Sequence, residues 1–235
     1  MKKVVDIFKE LKKTPRGKSI LFFGGYLIFF VVLMVLVRVS GNNNYKSDSS
    51  IYNNRELFSV NEIRDNNYKF TYNVKLDGVV YSYSGTRNNN NRILFKFNNL
   101  DYYVDGNKYY VNNNGTWNSC DNPIMFNEFF YGENVKKILN RASNESTTKY
   151  EDGRREFNML ISTNTLNELF TGKITDFDEV PNKIVVGTTK ELKANSINYN
   201  LDSYCRLSQL CNTGLTIEVS YDDFGKIEVI DNPME

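Results

Sequence analysis

From Tyr68 to Leu76 every second residue is apolar: Tyr68, Phe70, Tyr72, Val74 and Leu76 alternate with Lys69, Thr71, Asn73 and Lys75. That period of two predicts a half-buried antiparallel strand. Asp77-Gly78 supplies a hairpin turn, because an Asp-Gly pair accepts the positive φ of a type I′ turn. The returning strand carries Val79, Tyr81 and Tyr83 on one face, and Ile93, Phe95 and Phe97 make the next. Asp105-Gly106 joins DYYV to KYYV, Asn114-Gly115 leads into Trp117, and Asp152-Gly153 precedes a strand bearing Phe157, Met159 and Ile161. Ile197, Tyr199 and Leu201 alternate with polar residues, as do Leu215, Ile217, Val219 and Tyr221. A last turn at Phe224-Gly225 predicts a closing hairpin through Ile227 and Val229.

Three stretches break this rhythm. Ile20–Val37 holds roughly 18 residues without a charge, about 27 Å of helix and enough to cross a bilayer. Between Pro123 and Ala142, Phe126, Phe129, Phe130, Ile138 and Leu139 recur at helical spacing, as one helix or two meeting at Gly132. Leu166, Leu169 and Phe170 fit one face of a further helix, with Thr165 and Glu168 placed as a capping box. A short helical piece is expected around Val60–Arg64. The helices do not alternate with strands as repeated βαβ units, so a parallel sheet is not supported.

The fold class expected is therefore an N-terminal transmembrane helix followed by an α+β ectodomain. Its body is a large curved antiparallel sheet, a half-barrel, with two or three short helices on the concave face. The expected divisions are a basic cytoplasmic tail (1–18), an anchor (19–39), a polar linker (40–55) and an extracytoplasmic domain (56–235).

Charge sets the direction of the anchor. Lys2, Lys3, Lys9, Lys12, Lys13, Arg16 and Lys18 precede it, and only Arg38 and Lys46 are basic between it and Arg55. The positive-inside bias places the N-terminus in the cytoplasm and residues from about 42 onward outside. A cleaved signal peptide is the alternative, with small residues at Ser40 and Gly41. Its apolar core is ordinarily about 7–15 residues, shorter than this run, and Arg38 interrupts the approach to such a site. Val4, Ile7, Phe8 and Leu11 form a helical stripe, which reads first as part of the basic flank and second as a helix on the leaflet.

Composition excludes several chemistries. The net charge is +1, so no global field attracts nucleic acid. The chain has no histidine, which removes every Ser-His or Cys-His nucleophile pair and the commonest metal ligand. No metal site and no cofactor is expected. The acid pairs Glu151/Asp152, Asp178/Glu179 and Asp222/Asp223 sit at predicted turns, where consecutive residues diverge, and read as surface acids. Asn tracts at Asn42–Asn44, Asn88–Asn91 and Asn112–Asn114 read as turn sequence. Of three cysteines, Cys205 and Cys211 flank the short loop RLSQL between two strand-like runs, and a disulfide between them is expected outside the membrane. Cys120 is then the odd thiol, with no base beside it to activate it.

The hairpin series YKFTYNVKLDGVVYSYSG and YYVDGNKYYVNNNGTW, the helix near Phe126–Leu139, the unit EDGRREFNMLISTNTLNELF and the closing TIEVSYDDFGKIEVIDNP together resemble the bacterial lipoprotein-carrier superfamily. These are the LolA-like proteins, including the lipoproteins LppX and LprG. The resemblance lies in element order and implies an unclosed barrel whose helices cover an apolar concavity. Together with the anchor read above, it implies a non-enzymatic, membrane-tethered binder of a lipid-like ligand in the cell envelope. A tethered chain departs from that family's free or lipid-anchored carriers and does not suit long-distance shuttling. On this reading the ligand-facing residues are Phe70, Tyr72, Tyr81, Tyr83, Phe95 and Phe97 on the sheet, with Phe126, Phe129 and Phe130 above them as a lid. The alternative is an envelope assembly or sensory interaction module, with an envelope protein as partner and the same aromatics fully packed as core.

Overall fold

The computed structural model describes residues 57–234 apart from 66, 89 and 173–179. The tail, anchor and linker expected before residue 56 lie outside the described residues, as does the Asp178/Glu179 pair. Among the described residues no helix is long and apolar enough to cross a membrane.

Eleven strands form one sheet in the order β6-β5-β4-β3-β2-β1-β11-β10-β9-β8-β7. In chain order they are β1 Tyr68–Leu76, β2 Val79–Arg87, β3 Arg92–Phe97, β4 Leu100–Asp105, β5 Lys108–Asn113 and β6 Thr116–Cys120. Then come β7 Ser143–Lys149, β8 Arg155–Ser162, β9 Pro181–Thr188, β10 Ala194–Asn200 and β11 Leu215–Asp222. Every pairing between neighbours is antiparallel, and β6 and β7 stand at opposite edges, so the sheet is not closed. The hairpins follow their turn chemistry: Asp77 has φ 49° and Gly78 φ 87°, the pair of positive values a type I′ turn requires.

The helices are short. They are α1 Asn61–Arg64, a 3-10 turn Asn127–Phe129, α2 Gly132–Arg141, α3 Thr163–Thr171 and α4 Asp202–Leu207. They cover the apolar face, where Ile63, Phe129, Val135, Ile138, Leu139 and Leu166 join the sheet's inward residues in one core. Gly132 starts α2 where its backbone crosses α1; a Cβ there would strike the backbone of Ile63 and Arg64. Arg141 of α2 reaches Glu168 of α3 at 3.4 Å.

Three expectations are corrected. The cap of α3 is Ser162, whose hydroxyl accepts the Thr165 N–H at 3.1 Å, so Thr165 and Glu168 do not form the box. Cys205 lies in α4 rather than at the end of a strand-like run, because Leu201 ends the extended segment as the cap of that helix. The closing hairpin does not form: β11 already has β1 and β10 as neighbours, leaving Ile227 and Val229 no free edge to pair with. Asn67 holds that tail instead, its side chain exchanging two hydrogen bonds with the Ile227 backbone. Finally, β7, β9 and α4 are elements that the reading of the sequence did not place.

Cys205 and Cys211 are joined in a disulfide with their Cα atoms 5.4 Å apart. Next to that loop the Asp77 carboxylate accepts the N–H groups of Asn212, Thr213 and Gly214 at 3.1, 2.7 and 3.2 Å. It also accepts the Thr213 hydroxyl at 2.9 Å. These backbone donors hold the Asp77 carboxyl down to about 2. The first hairpin is thereby pinned to the segment that leads into the last strand.

Candidate functional site

The inner face of β1–β5 is lined with rings. Register sets Tyr72 opposite Tyr83 and Tyr83 opposite Phe97, and Phe70 opposite Gly85, which faces Phe95. Gly85 leaves the gap over which Phe70 and Phe95 lie; a Cβ there would run into the backbone of Leu94 and Phe95. The rings are in contact: Tyr83–Phe97 at 4.4 Å, Phe70–Phe130 at 4.7 Å, Phe95–Tyr102 at 5.1 Å and Tyr72–Phe130 at 5.2 Å between centroids.

Of the nine expected site residues, Phe70, Tyr72, Tyr83, Phe95, Phe129 and Phe130 are buried, and Tyr81, Phe97 and Phe126 pack partly buried against them. Phe130 stands above the early strands. Phe129 does not; it lies against Phe170, Tyr199 and Tyr204, over the other half of the sheet. Phe126 takes a left-handed backbone conformation (φ 50°), and its carbonyl is an acceptor in the site. The Tyr72 hydroxyl donates to the carbonyls of Met125 and Phe126 at 2.9 and 2.7 Å. That of Tyr83 donates to Pro123 at 3.0 Å. Two phenols of the sheet therefore hold the segment that leads from β6 into the helices.

The polar atoms deeper in this layer went unnoticed in the sequence. The hydroxyls of Tyr68, Tyr199 and Tyr221 are buried without a hydrogen-bond partner. Burial pushes all three phenols upward, and the nearby Arg87 charge opposes that shift for Tyr68 and Tyr221. Arg87 itself belongs to the inner face. Register aligns Tyr68, Arg87, Ile93, Val104 and Tyr109 in one row across five strands. The guanidinium lies 5.0 Å from the Tyr131 ring centre, and its Nη2 donates to Asn91 at 3.1 Å. One signal for it was present: Arg87 continues the parity of Tyr81, Tyr83 and Gly85, which points it inward.

Carboxylates are sparse here. Burial pushes Glu128, on the 3-10 turn, upward. The free Cys120 thiol is pushed upward too, by burial first and Asp121 second. Among the described residues no three His, Cys, Asp or Glu side chains gather as a metal site.

No protein-family model matches the sequence, and no curated protein matches it. Solved structures do. The lipoprotein LppX of Mycobacterium tuberculosis is 10% identical, with 79% of this chain and 100% of that one covered at a TM-score of 0.46. LprF of Mycobacterium bovis is 10% identical over 75% of this chain and 94% of that one, at 0.44. A LolA superfamily protein from Nitrosomonas europaea is 8% identical over 74% and 90%, at 0.29. The domain is similar to these in the arrangement of an open antiparallel sheet and a few short helices, and at such scores the likeness says nothing about a ligand.

Proposed function

We propose that the chain is a single-pass, membrane-tethered and non-enzymatic binder whose domain, outside the cytoplasm, takes a lipid-like ligand between the inner face of the sheet and its helices. The helix-covered side is then the concave side of a half-barrel, and Phe70, Tyr72, Tyr81, Tyr83, Phe95 and Phe97 face the ligand under Phe126 and Phe130. One observation carries the reading: Tyr199 and Tyr221 bury hydroxyls with no partner in a layer of rings and aliphatic side chains that also holds Arg87. An unmatched buried hydroxyl costs about 1–3 kcal/mol, a penalty an amphiphile's ester or hydroxyl oxygens would relieve. A site that is mostly apolar with a few polar groups is the usual form of a small-molecule pocket.

The test uses the full chain in non-ionic detergent, exchanged against membrane phospholipids and weighed by native mass spectrometry. Retained lipid, lost in Phe130→Glu under conditions where that variant still melts cooperatively, is expected. A lipid-free wild type that also fails to bind an apolar dye overturns it. Protease added to spheroplasts should remove residues beyond Asn42 and spare an N-terminal tag; a protected C-terminal domain would reverse the topology.

The second reading is an envelope assembly or sensory module with a filled core, and the near-complete burial of Phe129 and Phe130 favours it. Crosslinking in native membranes would then recover a protein partner, and monomer alone would count against it.

A further inference from the structure

Arg87 is the most unusual side chain among the described residues. It is only 6% exposed, yet its Nε and Nη1 have no hydrogen-bond partner. It also forms no ion pair among the described residues. Its contacts are neutral: the Asn91 side-chain oxygen, the Tyr131 ring and the Tyr68 hydroxyl beside it. A guanidinium offers five N–H donors and no acceptor, and a buried charge without a counter-ion is costly. The groups beside it do not resolve this. The buried Tyr68 hydroxyl has only the guanidinium beside it and the Tyr221 hydroxyl is unpartnered, so cation and donors gather without an anion.

That cluster borders an open groove. The groove has a volume of about 430 Å³ and is lined by Arg87, Asn91, Ile93, Gly106, Asn107, Tyr109, Asn127 and Tyr131. Arg87 is its one charged residue, and three asparagine amides and two phenols add further donors around it. The Tyr109 and Tyr131 hydroxyls meet at 3.2 Å across it. An oxyanion entering here would meet a fork-shaped cation suited to paired oxygens, with neutral amides for the rest.

We propose that Arg87 and this groove form a binding site for a phosphate-class oxyanion, with Arg87 as its counter-charge and Asn91 and Tyr131 orienting the guanidinium. The site stands apart from acyl-chain uptake, since it requires only the anionic group. That group would come from free phosphate or from a phospholipid headgroup.

The experiment is a thermal melt of the full chain in non-ionic detergent, at constant ionic strength, with three additions: sodium chloride, inorganic phosphate, and dihexanoyl phosphatidylglycerol against dihexanoyl phosphatidylcholine. Two variants accompany the wild type. Arg87→Gln removes the charge. Asn91→Asp places a carboxylate against Nη2 and supplies an internal counter-ion, so it should fold at least as well as the wild type while blocking the site. At ten times its dissociation constant the bound anion should raise the wild-type melting temperature by about 3–6 °C, and the rise should vanish in both variants. A response to inorganic phosphate assigns a free anion. A response to the glycerol lipid alone, above that to the choline lipid, assigns a headgroup. No rise in the wild type with any addition, or an equal rise in Asn91→Asp, overturns the proposal and leaves Arg87 as a packing residue on Tyr131. Because the phosphate arm contains no acyl chain, failure of lipid uptake and failure of the anion site are read separately.

Discussion

The two halves of the sheet solve the same burial problem with different residues. From β8 to β11 the inner face is largely aliphatic: Met159, Ile161, Ile184, Val186, Ile197, Ile217 and Val219 are buried under α3 and α4. From β1 to β5 it is largely aromatic, and several rings carry hydroxyls. The aliphatic half is not free of polar groups: the Tyr199 hydroxyl on β10 is buried unmatched, and the Asn182 amide on β9 is buried but bonded to Thr163 and the Tyr204 backbone. The aromatic half must place each hydroxyl, and it does so unevenly. Tyr72 and Tyr83 reach carbonyls of the segment before the helices, whereas Tyr68 and Tyr221, at the junction of the halves, reach no acceptor. On the proposed reading, the ligand lies over the aromatic half and the aliphatic half supports it.

Paired truncations test this division most directly. Met159→Ala and Phe130→Ala should each destabilise the domain, by about 2–5 and about 3–5 kcal/mol in denaturant melts. Only Phe130→Ala should also reduce uptake of an apolar dye per folded molecule. Equal loss of uptake in both would erase the division. A smaller effect separates two kinds of tyrosine. Tyr72→Phe removes the donor to the Met125 and Phe126 carbonyls, of which Phe126 keeps the Phe129 N–H, and should cost about 1–3 kcal/mol, with faster amide exchange near Met125 and Phe126. Tyr221→Phe removes an unmatched hydroxyl and should be neutral or stabilising. A large loss in Tyr221→Phe would mean that its hydroxyl has a partner after all.

Two carboxyls sharpen the comparison through pH, with opposite signs. Burial raises Glu128 above its ordinary value, so the folded state is penalised while Glu128 is charged and relieved as pH falls through the raised value. Glu128→Gln should therefore raise the melting temperature at pH 7, with the gain fading as both forms become neutral below about 4.5. Asp77 behaves the other way. Its folded value of about 2 lies below the unfolded value near 3.8, so its contribution is present above about pH 4 and lost as pH falls toward 2. Asp77→Asn should show a melting temperature that falls less steeply across that window. This is the smallest effect, because Asp77 is exposed and salt weakens it.

The sequence made the aromatic half legible and the other half less so, for physical reasons. Tyr68–Leu76 alternates cleanly and is followed by Asp77-Gly78, so pattern and turn chemistry agree. β7, SNESTTK, has no apolar residue to alternate, since an edge strand can leave both faces wet. β9 holds a short apolar run, Ile184–Val186, that strand and helix share equally. The segment after Gly225 alternates like a strand, yet whether a strand forms depends on a free edge, which is a property of the whole sheet. At the candidate site, parity identified the rings but not their partners. That Phe129 leans on Tyr199 and Phe130 on Phe70 depends on how the 3-10 turn is rotated, and no local pattern encodes that rotation. Arg87 was overlooked because a charged residue on an aromatic strand reads as its solvent side.

The pairing of β1 with β11 governs the order in which the domain can be made. Lys69 lies opposite Asp222, so one of the first strands to be synthesised sits in the middle of the sheet beside the last. Until that last strand emerges, β1 and β10 each present a bare, apolar-faced edge to whatever is near. Closure then waits on the strand pairing most distant in sequence among the described residues, the kind that slows folding most. A chain interrupted before Leu215 would be an adhesive intermediate rather than a smaller version of the same domain.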